Sequence, residues 1–372
     1  RDSSTSRGLG DVYKRQLINN ANFESYIKVV KVDAETGKTI PYAGAGFQIY
    51  DPDGNKVSMT FTYPTPTTID TFYTDADGQL VTPEKLDYGK EYSLVEVQAP
   101  YGYVLDSTPV SFDVTEENST QEGGITLIKV DKPNMAQKGT ISVEKTGEVF
   151  FGVNVSGEED KDVIYQPVYK VKGLAGAVYE ITADEDIITP DGTLRYHKGD
   201  VVDTVTTDED GKAKSKELYL GKYTVVETKA PNGMVINKEK HSVELTYAGQ
   251  DVAVTETATS FVNERQKVKI SFEKVLEQNE TFGIGKNDEI KNISFGLYAK
   301  EDIVSSSGTV IPADGLIEII TLDENGTATA NTDLPFGSYY IKEIATDEHY
   351  ILSDTQYPFT FEYAGQDTET VE

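Results

Sequence analysis

The chain is 372 residues long, carries a formal net charge of −29 and contains no cysteine. That acidity argues against nucleic acid and anionic membranes, which bind basic surfaces, and no apolar run reaches the ~18 residues of a membrane-spanning helix. An exported β-protein without cysteine needs some covalent staple other than a disulfide, and the length suits three domains of about 110–130 residues.

Residues 1–22 are set aside as a non-native or disordered leader, because Ser6–Gln16 resembles translated adapter sequence and lacks the apolar stretch of a signal peptide. From there one template is used three times, giving expected domains at 23–136, 137–266 and 267–372. Each copy opens with an alternating strand that ends in lysine: Ile27-x-Val29-x-Lys31, Ile141-x-Val143-x-Lys145 and Ile270-x-Phe272-x-Lys274. A strand of small and aromatic residues follows, as in Ala45-Gly46-Phe47, Ala177-Val178-Tyr179 and Ser294-Phe295-Gly296. Then comes a tight turn, Asp75-Ala76-Asp77-Gly78, Asp208-Glu209-Asp210-Gly211 or Asp323-Glu324-Asn325-Gly326.

Each copy next has a strand whose alternation ends in glutamate: Tyr92-x-Leu94-x-Glu96, Tyr223-x-Val225-x-Glu227 and Tyr339-x-Ile341-x-Glu343. The Glu lies 21, 19 and 20 residues after the first Asp of the turn. Side chains at i, i+2 and i+4 share one face of a strand, so each Lys and Glu shares the apolar, buried face. Charged residues are almost never buried without a partner. Helical periodicity is nearly absent, and the short Val, Ile, Thr, Tyr and Phe runs read as antiparallel strands in sandwiches. The segment 148–172, with acidic Glu158-Glu159-Asp160, reads as a surface loop or hairpin inserted in the second copy.

The lysine strand, the Tyr-x-Leu/Val-x-Glu-x-x-Ala-Pro-x-Gly run at residues 92–102 and 223–233, and a terminal Asn or Asp together resemble the CnaB/SpaA-type domains of Gram-positive surface adhesins and pilins. The third copy departs from the pattern, since Glu343-Ile344-Ala345-Thr346 lacks the Ala-Pro-x-Gly turn. The resemblance implies an all-β fold of tandem Ig-like or prealbumin-like β-sandwich domains. It also implies spontaneous isopeptide bonds between each Lys and the terminal Asn or Asp, assisted by Glu96, Glu227 and Glu343. The chemistry is coherent. A buried amine is driven toward its neutral, nucleophilic form, and a buried carboxyl toward the protonated form that can polarise a carbonyl and shuttle protons. Fixed contact between amine and carbonyl replaces a bimolecular amide synthesis by an intramolecular one.

For Lys145 the acceptor is Asn263, in the strand-like Ser260–Arg265. For Lys31 the family habit of Asn-Lys-Pro or Asp-Lys-Pro points to Asp131, because Pro133 should end the strand before its competitor Asn134. Asn134, however, precedes Lys145 by 11 residues, as Asn263 precedes Lys274. Lys274 has no acceptor within the chain: matching Tyr247–Asp251 to Tyr363–Asp367 puts the equivalent position at 379. The chain thus reads as a fragment whose third domain lacks its last strand, leaves Glu343 idle and is able to capture a peptide that supplies that strand.

The functional expectation is a structural stalk segment at the extracellular cell wall, anchored to peptidoglycan or assembled into a pilus, that cross-links itself once, without enzymatic turnover or cofactor. An alternative is an adhesin module for a host-surface protein or glycan. Another is a calcium-stabilised repeat, since Asp208, Asp210, Gly211 and Glu217, and likewise Asp75, Asp77, Gly78 and Glu84, have EF-hand-like spacing; the flanking helices and a first-position Asp are missing. His197, His241 and His349 show no metal-ligand spacing.

Overall fold

Alternation in the lysine strands converts directly into sandwich halves. In the computed structural model, which describes residues 20–158 and 162–372, the first strand runs Glu24–Asp33 and buries Ile27, Val29, Lys31 and Asp33. The leader expectation therefore falls mostly outside the described residues, as do Glu159 and Asp160. This strand pairs in parallel with Ile125–Asn134 and antiparallel with Gln79–Val81. The facing sheet runs Phe72–Tyr73, Gly46–Tyr50, Gly89–Gln98, Val110–Val114. Between the two sheets lie Ile27, Val29, Phe47, Ile49 and Leu94, each contributing roughly 1.5–3 kcal/mol by leaving water.

The described chain forms two compact units. One contains residues up to 136 with 190–193 and 249–251, and the other contains the remainder. The second unit has two main apolar cores. One is built on Ile141, Val143, Tyr179, Tyr223 and Val225, the other on Phe295, Leu297, Ile317, Tyr339 and Ile341. In the first of these the lysine strand is again paired in parallel with its closing strand, Val254–Asn263, over ten residues from Lys138↔Val254 to Gly147↔Asn263.

The inserted segment is no simple surface loop. Lys138–Ser156 and Ile164–Gly173 form one long hairpin with a register shift between Phe150 and Gly152. Ile164 pairs in parallel with Leu316, so a single sheet runs through the hairpin into Leu316–Thr321, Ser294–Ala299, Gly337–Ala345 and Gln356–Phe361. Phe150, Val153 and Tyr165 pack on the second core of this unit. A surface loop or hairpin could be read from the sequence; the length of the hairpin and its docking partner, more than 100 residues away, could not.

The third lysine strand also departs from expectation. Only Ser271–Glu273 is regular, and its closing pairing is confined to Lys267↔Thr370 and Val268↔Val371. Ser271–Glu273 pairs antiparallel with Thr327–Thr329, but without a closing strand beside Ile270–Lys274 the Lys274 side chain is 29% exposed, against 0% for Lys31 and Lys145.

Candidate functional site

Three elements converge on Lys31 and Lys145, and the first two of them on Lys274. The first is the tight turn. The backbone N–H of Lys31, Lys145 and Lys274 donates to the carbonyl of Gly78, Gly211 and Gly326 at 2.9, 2.7 and 2.8 Å. Each glycine has φ near +75°, at +73°, +78° and +79°, and a Cβ there would lie 1.8–2.3 Å from a backbone oxygen. Glycine is thus required where the turn presses on the lysine's own carbonyl in the second and third copies and on the Ile40 carbonyl in the first. The same geometry accounts for the EF-hand-like acids. Asp75 and Asp208 each accept two backbone N–H bonds on Oδ1 at 2.9–3.0 Å, as Asx turns do. Among the described residues no group of three His, Asp or Glu could hold a metal ion.

The second element is the glutamate strand on the opposite sheet. Lys31 Nζ donates to Glu96 Oε1 at 2.7 Å, Lys145 Nζ lies 3.1 Å from Glu227 Oε1, and Lys274 Nζ lies 3.3 Å from Glu343 Oε1. Glu96, Glu227 and Glu343 are all at most 2% exposed. The other carboxylate oxygen is held by a backbone N–H ten residues further on: Asp106, Asn237 and Ser353 donate to Oε2 at 3.1, 2.7 and 2.8 Å. The sequence reading missed this clamp. Its only signal was the constant ten-residue offset, which is invisible where the residue type changes and a backbone group does the bonding.

The third element is the closing strand, and here the structure reverses one expectation. Asp131 is exposed and pairs with Lys129 at 3.2 Å. Lys31 Nζ instead meets Asn134 Oδ1, and Asn134 Nδ2 donates to Glu96 Oε2 at 2.6 Å and to the Val104 carbonyl at 2.7 Å. Asp131 and Asn134 are three residues apart, so they point to opposite faces. Pro133 does not end the strand. It lies beyond the Ser119–Glu122 pairing, where only one neighbour remains and a missing N–H is tolerated.

In the second site Asn263 Nδ2 donates to both Glu227 oxygens at 3.1 Å. Lys145 Nζ and Asn263 Oδ1 are buried and make no hydrogen bond. The rings of Tyr179 and Phe261 lie 5.7 and 5.6 Å from Lys145 Nζ and close the cluster. The third site brings Lys274 and Glu343 together beside a cavity of about 270 Å³ bordered by Phe272, Phe295, Ser353 and Tyr357, with no Asn or Asp facing the lysine among its lining residues.

Burial sets the electrostatics. It pulls the Lys31 amine down to about 8, against the opposing pull of Glu96, with the nearby Lys132 assisting. Burial also lowers the Lys145 amine, again opposed by Glu227. Both amines are therefore closer to the neutral, nucleophilic state than a surface lysine.

The prealbumin-like fold domain model of the SpaA family matches residues 25–127, 168–259 and 281–372. The chain belongs to the SpaA prealbumin-like domain family. Each SpaA match spans a glutamate strand. The lysine strand is included only in the first, because Lys145 and Lys274 precede the other two matched ranges. Over 139 residues the chain is 28% identical to the trypsin-resistant surface T6 protein of Streptococcus pyogenes serotype M6, covering 36% of this chain and 24% of that protein. The structure resembles the Bacillus anthracis TIE protein at a TM-score of 0.52 and 22% identity, covering 94% of this chain and 50% of that one. It also matches the major pilin subunit of Bacillus cereus at a TM-score of 0.30 and 17% identity, over 94% and 97% of the two chains. The chain thus spans half or less of the T6 and TIE proteins.

Proposed function

We propose that this SpaA-family chain is a stalk segment of a Gram-positive surface protein, stiffened by self-formed Lys31–Asn134 and Lys145–Asn263 isopeptide bonds. The observation that carries the reading is the second cluster, where a buried amine and a buried amide oxygen, neither hydrogen-bonded, stand against one glutamate. The amine has only the ion pair with Glu227 and the amide oxygen has no partner, which a buried amide oxygen rarely tolerates. An amide bond from Lys145 Nζ to Asn263 Cγ would remove the need to bury a charged amine.

In the reaction, neutral Nζ attacks the Asn Cγ and forms the Nζ–Cγ bond. The Glu carboxylate takes one Nζ proton and returns it to Nδ2. The Cγ–Nδ2 bond breaks and ammonia leaves. The clamping N–H keeps the carboxyl aimed at the acceptor, and burial excludes competing water. Each cluster reacts once, so the chain is a substrate of its own fold and not a turnover enzyme.

The mechanical consequence follows from the parallel pairing. The chain enters at Glu24, reaches Lys31 and would cross directly to Asn134, leaving everything between off the load path. By analogy with a disulfide, closing a loop of 103 residues stabilises the fold by roughly 4–5 kcal/mol of chain entropy. Location at the cell surface, whether wall-anchored or in a pilus, is proposed from family membership and from the T6 protein's being a surface protein. An antibody to this segment should label intact cells of its source organism; labelling only after lysis would refute the location.

Intact mass of the denatured chain tests the chemistry. Two Lys–Asn bonds remove about 34 Da as ammonia, and peptide mapping should recover Lys31–Asn134 and Lys145–Asn263 cross-links. An unchanged mass overturns the proposal.

A further inference from the structure

The two complete sites differ at the residue registered against the reactive lysine. Lys145 is paired with Phe261, whereas Lys31 is paired with Lys132. Phe261 needs no explanation: it is apolar, and its ring stacks on His241 at 3.8 Å. Lys132 does need one. It is 1% exposed and puts a second amine inside the same core as Lys31, where an ammonium is costly unless held by partners.

The partners are specific. Lys132 Nζ donates to Asp106 Oδ2 at 3.1 Å and to the Thr108 carbonyl at 2.9 Å. Asp106 is the residue whose N–H clamps Glu96, and Val104 in the same loop accepts the Asn134 amide. In the second site the corresponding loop is tied to its closing strand by a neutral bond, Asn237 Nδ2 to the Val262 carbonyl at 3.0 Å. The position ten residues after the glutamate therefore does two jobs in both sites, with its backbone on the carboxylate and its side chain on the closing strand. Only the first site uses an ion pair for the second job.

We propose that Lys132 and Asp106 form a positioning pair for the Lys31–Asn134 reaction, strapping the 104–108 loop onto the closing strand so that Glu96 and Asn134 are held in line. The inference rests on the isopeptide reading above. It has an electrostatic consequence that a merely structural strap would lack. The charged groups facing Lys31 are Glu96 from the opposite sheet, Lys132 from the closing strand and Asp106 from the loop. Glu96 and Asp106 hold the proton on Lys31, and Lys132 drives it off. Lys132→Met removes a cation and leaves Asp106 unneutralised, so both effects retain the proton. Asp106→Asn removes an anion and leaves Lys132 uncompensated, so the proton leaves more readily.

The test is cross-linking rate against pH. Full chain from a short cell-free pulse is captured in denaturant and diluted into buffers between about pH 6 and 10. The Lys31–Asn134 peptide is then quantified against the Lys145–Asn263 peptide of the same molecules. Lys132→Met should move the first-site profile up by about half a pH unit or more and slow the reaction at pH 7 about threefold or more. Asp106→Asn should move it down, Lys132→Arg should restore it, and the second-site peptide should not respond. Shifts in one common direction, or none, with the bond still forming, overturn the positioning pair and leave the isopeptide reading intact. A wild-type chain that yields no Lys31–Asn134 peptide overturns the isopeptide reading itself. If Lys132→Met fails to fold by circular dichroism, Asp106→Asn decides alone, and a profile that does not move down refutes the pair.

Discussion

Lys31 Nζ meets Asn134 Oδ1 inside the first sandwich, and Glu96 touches both residues, accepting from Lys31 on Oε1 and from Asn134 on Oε2. Asp131, three residues before Asn134, is on the solvent face with Lys129. Asn134→Ala should therefore abolish the first cross-link, so that the variant's deficit against its own sequence mass falls from about 34 to about 17 Da. Asp131→Ala should leave the mass deficit intact and cost under ~1 kcal/mol as a surface pair. Peptide mapping of the two variants distinguishes them, and loss of the bond in Asp131→Ala would reverse the assignment.

Glu227 is the only carboxylate touching Lys145 and Asn263 among the described residues. Glu227→Ala should stop the second bond while the first still forms, so that half of the deficit of about 34 Da remains. A full deficit in this variant would mean that proton transfer runs without the carboxyl.

The rate of the first reaction should follow the neutral fraction of Lys31. With the amine drawn down to about 8 by burial, the neutral form grows as pH rises through that value and saturates above it. Cross-linking should thus be slow at pH 6, rise through about pH 8 and level off beyond, whereas an unperturbed lysine would still be gaining rate near pH 10. Quenched time courses read by mass would show which holds.

How much of this was legible depends on the kind of bond involved. Lys31, Lys145, Glu96 and Glu227 could be read because a charge on the apolar face of an alternating strand is conspicuous, and Asn263 because it ends a strand-like run where the family pattern has its acceptor. The choice between Asp131 and Asn134 could not, because it depended on whether Pro133 ends a strand, and that is decided by which neighbour the strand still has. The clamping N–H groups of Asp106, Asn237 and Ser353 were hidden for another reason: a backbone donor leaves no mark on residue type. Lys132 was overlooked because a lysine beside Asp131 in an acidic chain looks like surface. The long hairpin was visible only as a surface loop or hairpin; its length and its destination on Leu316 required tertiary structure.

Gly211 offers a test of the turn as part of the reaction site. Its φ is +78° and a Cβ would stand 2.2 Å from the Lys145 carbonyl oxygen. Gly211→Ala should cost about 1–3 kcal/mol through backbone strain and slow the second cross-link by displacing Lys145, with the first unaffected. A denaturant melt on the Lys145→Met background isolates the strain from the bond. A destabilised variant that cross-links at the normal rate would make the turn structural only.

Arg265 joins the second reaction site to the core beyond it. It lies two residues after Asn263, its guanidinium is 3.5 Å from the Tyr169 ring centroid on the long hairpin, and it is hydrogen-bonded to Asp333 and 3.6 Å from Glu148. Its side chain is 9% exposed, whereas Asp333 and Glu148 are 37% and 51% exposed, so salt screens the pairing in part. Arg265 thus ties the strand that carries Asn263 to the long hairpin and to the Asp333 loop. Arg265→Ala should cost about 1–3 kcal/mol by leaving Asp333 short of a partner and Tyr169 uncovered. More diagnostically, calorimetry should show one transition for the two cores of this unit in the wild type and two in the variant, with both cross-links still present by mass. A single transition in the variant would mean that the hairpin pairing through Ile164 and Leu316 is sufficient to couple the cores, and Tyr165→Ser, which strips the hairpin's contact with the second core, would then be the variant that separates them.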